Sequence, residues 1–266
     1  MQWILQDDKD NSALAEILDR MGIAYSVHTK LREVAVPELI IDDPDRVVVF
    51  GYYSAKAFVR ERGYKPGVFE LRPYVMEQAW QPFLLNPRNA ATFIKVRDIA
   101  DCVPDDGRQY FVRPVEDSKT MSGAVLSGTE IRAKAAAVME LAPERLVSGK
   151  LEPDTELLLS VPVIIQKEWR VWVVSGVVVT WSLYKMAGKM VVRPEIDQDA
   201  LDFVRAMVEI NPGYSDAYVI DVCRTEEGLR IIETNCINAS GFYEADLQRL
   251  IVAIEDLEPA VAQPCA

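Results

Sequence analysis

Residues 218 to 243 read Tyr218-Val-Ile-Asp-Val-Cys-Arg-Thr-Glu-Glu-Gly-Leu-Arg-Ile-Ile-Glu-Thr-Asn-Cys-Ile-Asn-Ala-Ser-Gly-Phe-Tyr243. Two β-rich runs, Tyr218 to Cys223 and Leu229 to Ile232, flank a charged turn that ends at Gly228, which is a hairpin signal. Acids stand where apolar residues are expected, Asp221 in the first run and Glu233 at the end of the second. If the loop is Glu226-Glu227-Gly228 with Gly228 left-handed, Thr225 faces Leu229 and Asp221 lies opposite Glu233. A loop one residue longer puts the two acids on opposite faces. The strand period of two then sets Asn235 on the face of Glu233. Opposed like charges destabilise a sheet unless something positive sits between them. Oxygen donors of this kind suit a hard cation such as Mg²⁺, which usually takes one or two carboxylates plus nucleotide phosphates. The other reading is an edge hairpin whose acids are solvated, and these residues alone leave both open.

Upstream, Glu168-Trp-Arg-Val-Trp-Val-Val-Ser-Gly-Val-Val-Val-Thr-Trp-Ser-Leu-Tyr184 is a second hairpin turning at Ser175-Gly176. Alternation places Glu168, Arg170, Trp172 and Val174 on one face. Glu168 and Arg170 are then either a surface pair or site residues, and the tryptophans read as packing. Helices are expected over Gln198–Met207 and Glu244–Leu257, with residues 258–266 as a disordered tail. Glu156 to Ile165 is apolar and interrupted by Pro162, the pattern of an edge strand or a bend.

Tyr110-Phe-Val-Arg-Pro-Val-Glu-Asp-Ser-Lys-Thr-Met-Ser-Gly123 puts Arg113 on a strand and Lys119, Ser122 and Gly123 on a small loop whose N–H groups suit a phosphate. Asn86-Pro-Arg-Asn-Ala-Ala-Thr-Phe-Ile-Lys95 opens a helix expected over Ala90–Ile99, with Arg88 near its anion-attracting start. A further helix is expected over Thr129–Met139. The first 85 residues alternate strand and helix: strands at Gln2–Leu5, Ala24–Val27, Val47–Phe50 and Val68–Leu71, helices at Ser12–Gly22, Ser54–Arg62 and Met76–Phe83. Ser12 is the expected cap of the first helix, and Gly51 to Ser54 reads as a tight turn where open sheets bind ligands.

Half of the 266 residues are hydrophobic, no apolar run approaches the ~20 residues needed to span a bilayer, and the N-terminus lacks a basic leader, so a cytoplasmic globular protein is expected. Four cysteines without paired spacing argue for free thiols. The net charge of −12, from 41 acidic and 29 basic residues, disfavours nucleic-acid and membrane partners. One histidine, His28, excludes a histidine-based zinc cluster or triad.

Phe111-Val-Arg-Pro, Asp117-Ser-Lys, Glu168-Trp-Arg-Val and Ile232-Glu-Thr-Asn followed by Ser240-Gly-Phe-Tyr, in this order, resemble the ATP-grasp superfamily, and more closely a little-characterised bacterial and phage clade with arginine in place of a phosphate-binding lysine. The resemblance implies an α/β (α+β) fold of a Rossmann-like pre-domain (1–85), a small subdomain with the phosphate loop (86–159), a C-terminal subdomain with the metal site (160–257) and a tail (258–266). It implies ATP with Mg²⁺ or Mn²⁺ as cofactors, and a ligase joining a small-molecule or peptide carboxylate to an amine through an acylphosphate. Asp221, Glu233 and Asn235 are the implied metal ligands. Arg113, Arg88 or else Lys95, and the loop with Lys119, Ser122 and Gly123 are the implied phosphate contacts. Ser160, Val161 and Val163 would border the adenine. Arg170 would meet the γ-phosphate or acylphosphate, and Glu168 would touch the ribose or orient Arg170. Asn238, Ser240 and Tyr243 fall toward the acceptor. Arg170, Lys119 and Arg113 carry the implied catalysis, for which positioning and charge neutralisation suffice without histidine. Two alternatives stay open at this point: a small-molecule phosphotransferase and a non-catalytic nucleotide-binding protein.

Overall fold

The computed structural model describes residues 1–29, 40–51, 55–71, 78–115, 121, 123–141 and 151–257. They fall into two compact units, one of residues 1–72 with 165–266 and one of residues 73–164. The expected tail and the loop residues Lys119 and Ser122 lie outside the described residues.

The first unit begins with β1 (Gln2–Gln6), α1 (Lys9–Met21), β2 (Tyr25–His28), β3 (Val47–Phe50), α2 (Ala55–Arg62) and β4 (Pro66–Gly67). These strands form a parallel sheet in the order β2-β1-β3-β4. Helix α1 starts a turn earlier than Ser12 because Asp8 supplies the cap, its carboxylate accepting from the Asn11 N–H. At the other end Gly22, left-handed at φ 69°, closes the helix. The strand expected at Val68–Leu71 forms two residues earlier, and the Phe69 N–H goes to the Asn238 side chain instead of a ladder.

The second unit holds β5 (Thr92–Lys95), α3 (Ile99–Cys102), β6 (Gln109–Pro114), β7 (Ala124–Ser127), α4 (Gly128–Met139) and β8 (Glu156–Ser160). Its antiparallel sheet has the order β5-β8-β6-β7. The helix expected over Ala90–Ile99 is not formed. Thr92, Phe93 and Ile94 are β-branched or aromatic, and their strand pairs with Leu157 to Leu159 of β8. The end of the expected Met76–Phe83 helix is a 3₁₀ turn over Gln78–Phe83 containing Pro82. Ile94, Val112, Leu157 and Leu159 face Ile99, Ile131 and Ala135 in one core. Ser127 and Glu130 cap α4 reciprocally.

The first unit resumes with β9 (Lys167–Val174), β10 (Val177–Met186), β11 (Lys189–Arg193), α5 (Gln198–Ile210), β12 (Ala217–Thr225), β13 (Gly228–Asn235) and α6 (Leu247–Glu255). The five strands run antiparallel in the order β11-β10-β9-β12-β13. Ser175 and Gly176 form the expected two-residue turn, at φ 50° and 71°. Helix α5 packs on β12 and β10. On one face Trp172, Val174 and Val219 meet Trp3, Leu5, Phe50, Phe242 and Leu250, so residues 1–72 share a core with residues 165–266. Each such aliphatic or aromatic side chain contributes about 1.5–3 kcal/mol by leaving water. Glu255 of α6 binds the indole N–H of Trp3 and the N-terminal ammonium.

The hairpin of β12 and β13 has the expected pairing for a different reason. Thr225 pairs with Gly228, so the loop is the two residues Glu226 and Glu227. On its own that register would set Asp221 opposite Ile232. A β-bulge between the pairs Val222–Ile231 and Asp221–Glu233 inserts one residue and restores the acid pair.

Two outcomes follow. A methyl group at Gly128 would lie 2.2 Å from the Pro104 carbonyl oxygen, so Gly128→Ala should lose about 1–3 kcal/mol in urea denaturation, with the midpoint moving and the slope unchanged. Burial lowers the His28 pKa below its ordinary 6.5. The neutral ring is therefore the one the fold favours, and His28 should subtract stability as pH falls below the unfolded value. The single imidazole signal should titrate below 6.5 by NMR, and His28→Gln should flatten the acid side of the stability curve.

Candidate active site

Three strands put the charged residues in rows. Asp221 on β12 lies directly between Arg170 on β9 and Glu233 on β13. One row toward the turn are Glu168 and Cys223, and one row the other way are Trp172, Val219 and Asn235. Along the strands this face therefore changes from charged to apolar within two residues, and the apolar end joins the core.

Asp221 is 1 % exposed. Arg170 meets it with a fork, Nε donating to Oδ1 at 2.9 Å and Nη2 to Oδ2 at 2.7 Å. Nη1 donates to the Gly241 carbonyl at 3.3 Å. The guanidinium also lies 5.7 Å from the ring centre of Tyr184 and 5.1 Å from that of Tyr243. Those rings stack at 5.2 Å. Burial pushes the Asp221 carboxyl up and Arg170 opposes it. Burial likewise works against the charged guanidinium, and Asp221 outweighs that and holds it above its ordinary value. The fork places each group where its charge compensates the other's.

Asn235 bridges the acids, its Nδ2 donating to Asp221 Oδ2 at 3.1 Å and to Glu233 Oε1 at 3.2 Å. Half a turn of the amide presents Oδ1 at the same point, and two carboxylates with an amide oxygen are a donor set that fits a hard divalent cation. Among the described residues no group of three or more His, Cys, Asp or Glu could hold a metal ion.

Glu168 is buried and held twice, by the Tyr184 hydroxyl at 2.7 Å and Lys185 Nζ at 3.1 Å. Burial, then the charges of Asp221 and Glu168, raise the Tyr184 phenol far above its ordinary value, so it remains a donor. Tyr184 and Lys185 are absent from the sequence-based set. Their signal is hidden by a bulge between Leu183 and Lys185, which brings two consecutive residues to one glutamate.

The expected acceptor-side residues diverge. Asn238 commits its amide to the backbone, donating to the Val49 carbonyl at 2.9 Å and accepting from the Phe69 N–H at 3.0 Å. The Ser240 hydroxyl donates to the Cys236 carbonyl at 2.7 Å. Tyr243 is 38 % exposed beside Arg170.

In the second unit, strand register sets Lys95, Arg113 and Ser160 on the sheet face opposite to the Ile94, Val112 and Leu159 core. Arg113 Nε donates to the Pro114 carbonyl at 3.3 Å, Lys95 pairs with Asp154 at 3.2 Å, and the Ser160 hydroxyl donates to Asn86 Oδ1 at 2.6 Å. Gly123 is needed where it stands, since a methyl group there would be 2.8 Å from the Phe111 ring. Val161 and Val163 are exposed. Arg88 lies in a 3₁₀ turn over Arg88–Ala90, and its side chain is outside what is described.

Arg170→Met should cost about 3–5 kcal/mol in urea denaturation by leaving Asp221 buried and uncompensated, and adding Asp221→Leu should recover most of it.

No curated protein matches the chain in sequence. Among solved structures it is similar to the D-cycloserine synthetase DcsG, at TM-score 0.64 and 14% identity over 96% of this chain and 99% of that one. It is similar to the Bacillus anthracis D-alanine–D-alanine ligase complexed with ATP, at TM-score 0.56 and 10% identity over 96% of both chains. With the ATP-grasp ligase PsnB complexed with a minimal precursor the TM-score is 0.52 at 13% identity, over 95% and 97%. At these identities the likeness is one of fold. Residues 50–254, most of the chain, match the ATP-grasp domain of R₂K clade family 3 in sequence, and the chain belongs to that family.

Proposed function

We propose that this ATP-grasp protein is an ATP- and Mg²⁺-dependent ligase that joins a carboxylate to an amine through an acylphosphate, releasing ADP and phosphate. The observation that carries the reading is the row Arg170, Asp221, Glu233 with Asn235 bridging the two acids. The names of the structural neighbours, a synthetase and two ligases, support the same class.

A substrate carboxylate oxygen attacks the γ-phosphorus, the bond to the bridging oxygen breaks, and ADP leaves. The amine lone pair then attacks the acyl carbon, phosphate departs with the C–O bonding pair, and the amine proton passes to phosphate or water. Mg²⁺, held by Asp221, Glu233 and the Asn235 carbonyl oxygen, would neutralise phosphate charge. Arg170 has about five N–H donors; three are bound to Asp221 and Gly241, which leaves two for phosphoryl oxygens. Tyr184 and Tyr243, stacked on each other, both lie beside that guanidinium and restrict its surroundings. Arg113, with Arg88 or Lys95, would take phosphate oxygens, and the arginine fork suits two at once. The loop carrying Lys119, Ser122 and Gly123 would cover the phosphates and exclude water from the acylphosphate. Ser160, Val161 and Val163 would border the adenine, and Glu168 would orient Arg170's surroundings through Tyr184 and Lys185.

Release of ADP and phosphate with pools of candidate acids and amines should require Mg²⁺ and fall more than ~100-fold in Glu233→Ala, whose melting curve should match wild type. A chain that binds no ATP in the presence of Mg²⁺ overturns the reading. A stable phosphorylated product with no coupled amide would make it a phosphotransferase instead.

A further inference from the structure

In the parallel sheet β1 lies between β2 and β3, so the chain leaves β1 toward one side and β3 toward the other. Open α/β sheets bind ligands in the crevice at the carboxyl ends of such diverging strands. Here that crevice is a cleft of about 160 Å³ lined by Asp8, Lys9, Asp10, Gly51, Ser240 and Phe242 among others. Sites that hold drug-sized ligands measure ~300–1,000 Å³, so this one suits a small molecule and not a nucleotide.

The charges in the cleft are of both signs. Asp8 is committed to capping α1. Lys9 and Asp10 have no ion-pair partner among the described residues, and both are exposed at the first turn of α1. Asp8 accepts from the Asn11 N–H, and the Ser12 N–H goes to the Asp8 carbonyl, so among the described residues no group takes the backbone N–H groups of Lys9 and Asp10. A purely anionic ligand would meet Asp10, and a purely cationic one would meet Lys9. A zwitterion satisfies both, with its carboxylate at Lys9 and the helix start and its ammonium at Asp10. Position agrees with charge. Asp10 Oδ2 lies 3.4 Å from where a Gly241 side chain would begin, and the Gly241 carbonyl is the one that Arg170 binds. The Asp10 carboxylate is thus one residue's thickness from the guanidinium. The lining is also built to stay in place. Asn238 ties the segment before Ser240 to β3, and the Gly51 N–H donates to the Asn238 carbonyl at 2.8 Å.

The geometry points to a subsite for a free α-amino acid in this cleft, with its ammonium on Asp10 and its carboxylate on Lys9. The assignment of that amino acid as the amine substrate rests on the ligase reading, whereas its binding does not. Each common L- and D-amino acid is to be titrated singly into the full chain by ligand-observed NMR, with and without a non-hydrolysable ATP analogue and Mg²⁺. At least one should bind, and its α-hydroxy acid and its primary amide should each bind about tenfold more weakly. Asp10→Asn should then treat the amino acid and the hydroxy acid alike, and Lys9→Met the amino acid and the amide alike. Absence of binding by every amino acid under both conditions overturns the subsite, as does equal discrimination in wild type and both variants. If amino acids bind with the expected pattern while ATP is neither bound nor turned over, the ligase reading falls and the subsite stands. If ATP is turned over with an amine and neither variant changes amine preference, the subsite falls and the ligase reading stands.

Discussion

The forked contact between Arg170 and Asp221 is the constraint around which the first unit is arranged. A carboxylate on the central run of a sheet, 1 % exposed, is tolerable only because a guanidinium meets both its oxygens. Burying the two charges costs several kcal/mol for each, and the pair roughly offsets that cost without creating a surplus. Stability alone therefore does not account for it, since hydrophobic residues of like volume would serve as well. What an ion pair supplies that a leucine does not is a fixed charge with donors to spare. Arg170 is further held by the Gly241 carbonyl and two stacked tyrosines, more restraint than pairing with Asp221 requires.

That restraint depends on the core behind it. The strand face that carries Arg170 and Asp221 at one end carries Trp172, Val174 and Val219 at the other, and these pack on β1, β3 and α6. The parallel sheet of residues 1–72 is for this reason a wall of the same core and not a separate body. Asn238 makes the connection polar as well as apolar by binding the backbone of Val49 and Phe69. Its burial and its two backbone partners argue that it positions the 236–243 segment, and Tyr243 and Gly241 at the end of that segment complete the surroundings of Arg170.

Much of this was legible in the sequence where local rules dominate. The Ser175-Gly176 turn, the Gly22 stop and the strand at Val47–Phe50 follow from positive φ and β-branching. The ordered motifs carried the ATP-grasp assignment, which the family match bears out. Legibility failed where tertiary pairing overrides propensity or where the ladder is irregular. Ala90 to Ile99 has helical spacing, yet an edge of β8 is available to Thr92–Lys95 and takes it. Tyr184 and Lys185 reach Glu168 together only through a bulge, which strict alternation cannot anticipate. Asp221 and Glu233 are opposed as expected, but a shorter loop and a bulge cancel where a three-residue loop was expected.

That cancellation bears on what the hairpin is for. A two-residue loop with no bulge would pair Asp221 with an isoleucine and turn Glu233 to the other face, removing the like-charge contact altogether. The chain instead has one extra residue at the position that restores it. Opposed acids are unfavourable on a sheet, and here the Asn235 amide and the Arg170 guanidinium are both required to offset them. Asn235 is the informative member, because a lysine in its place would neutralise the acids permanently and an aliphatic residue would leave them opposed. An amide can do either of two things by turning over: donate to both carboxylates when they face only each other, or join them as a third oxygen when a cation lies between. Two acids kept together by a compensated irregularity, beside a residue of that double capacity, are the feature on which the proposed metal site rests.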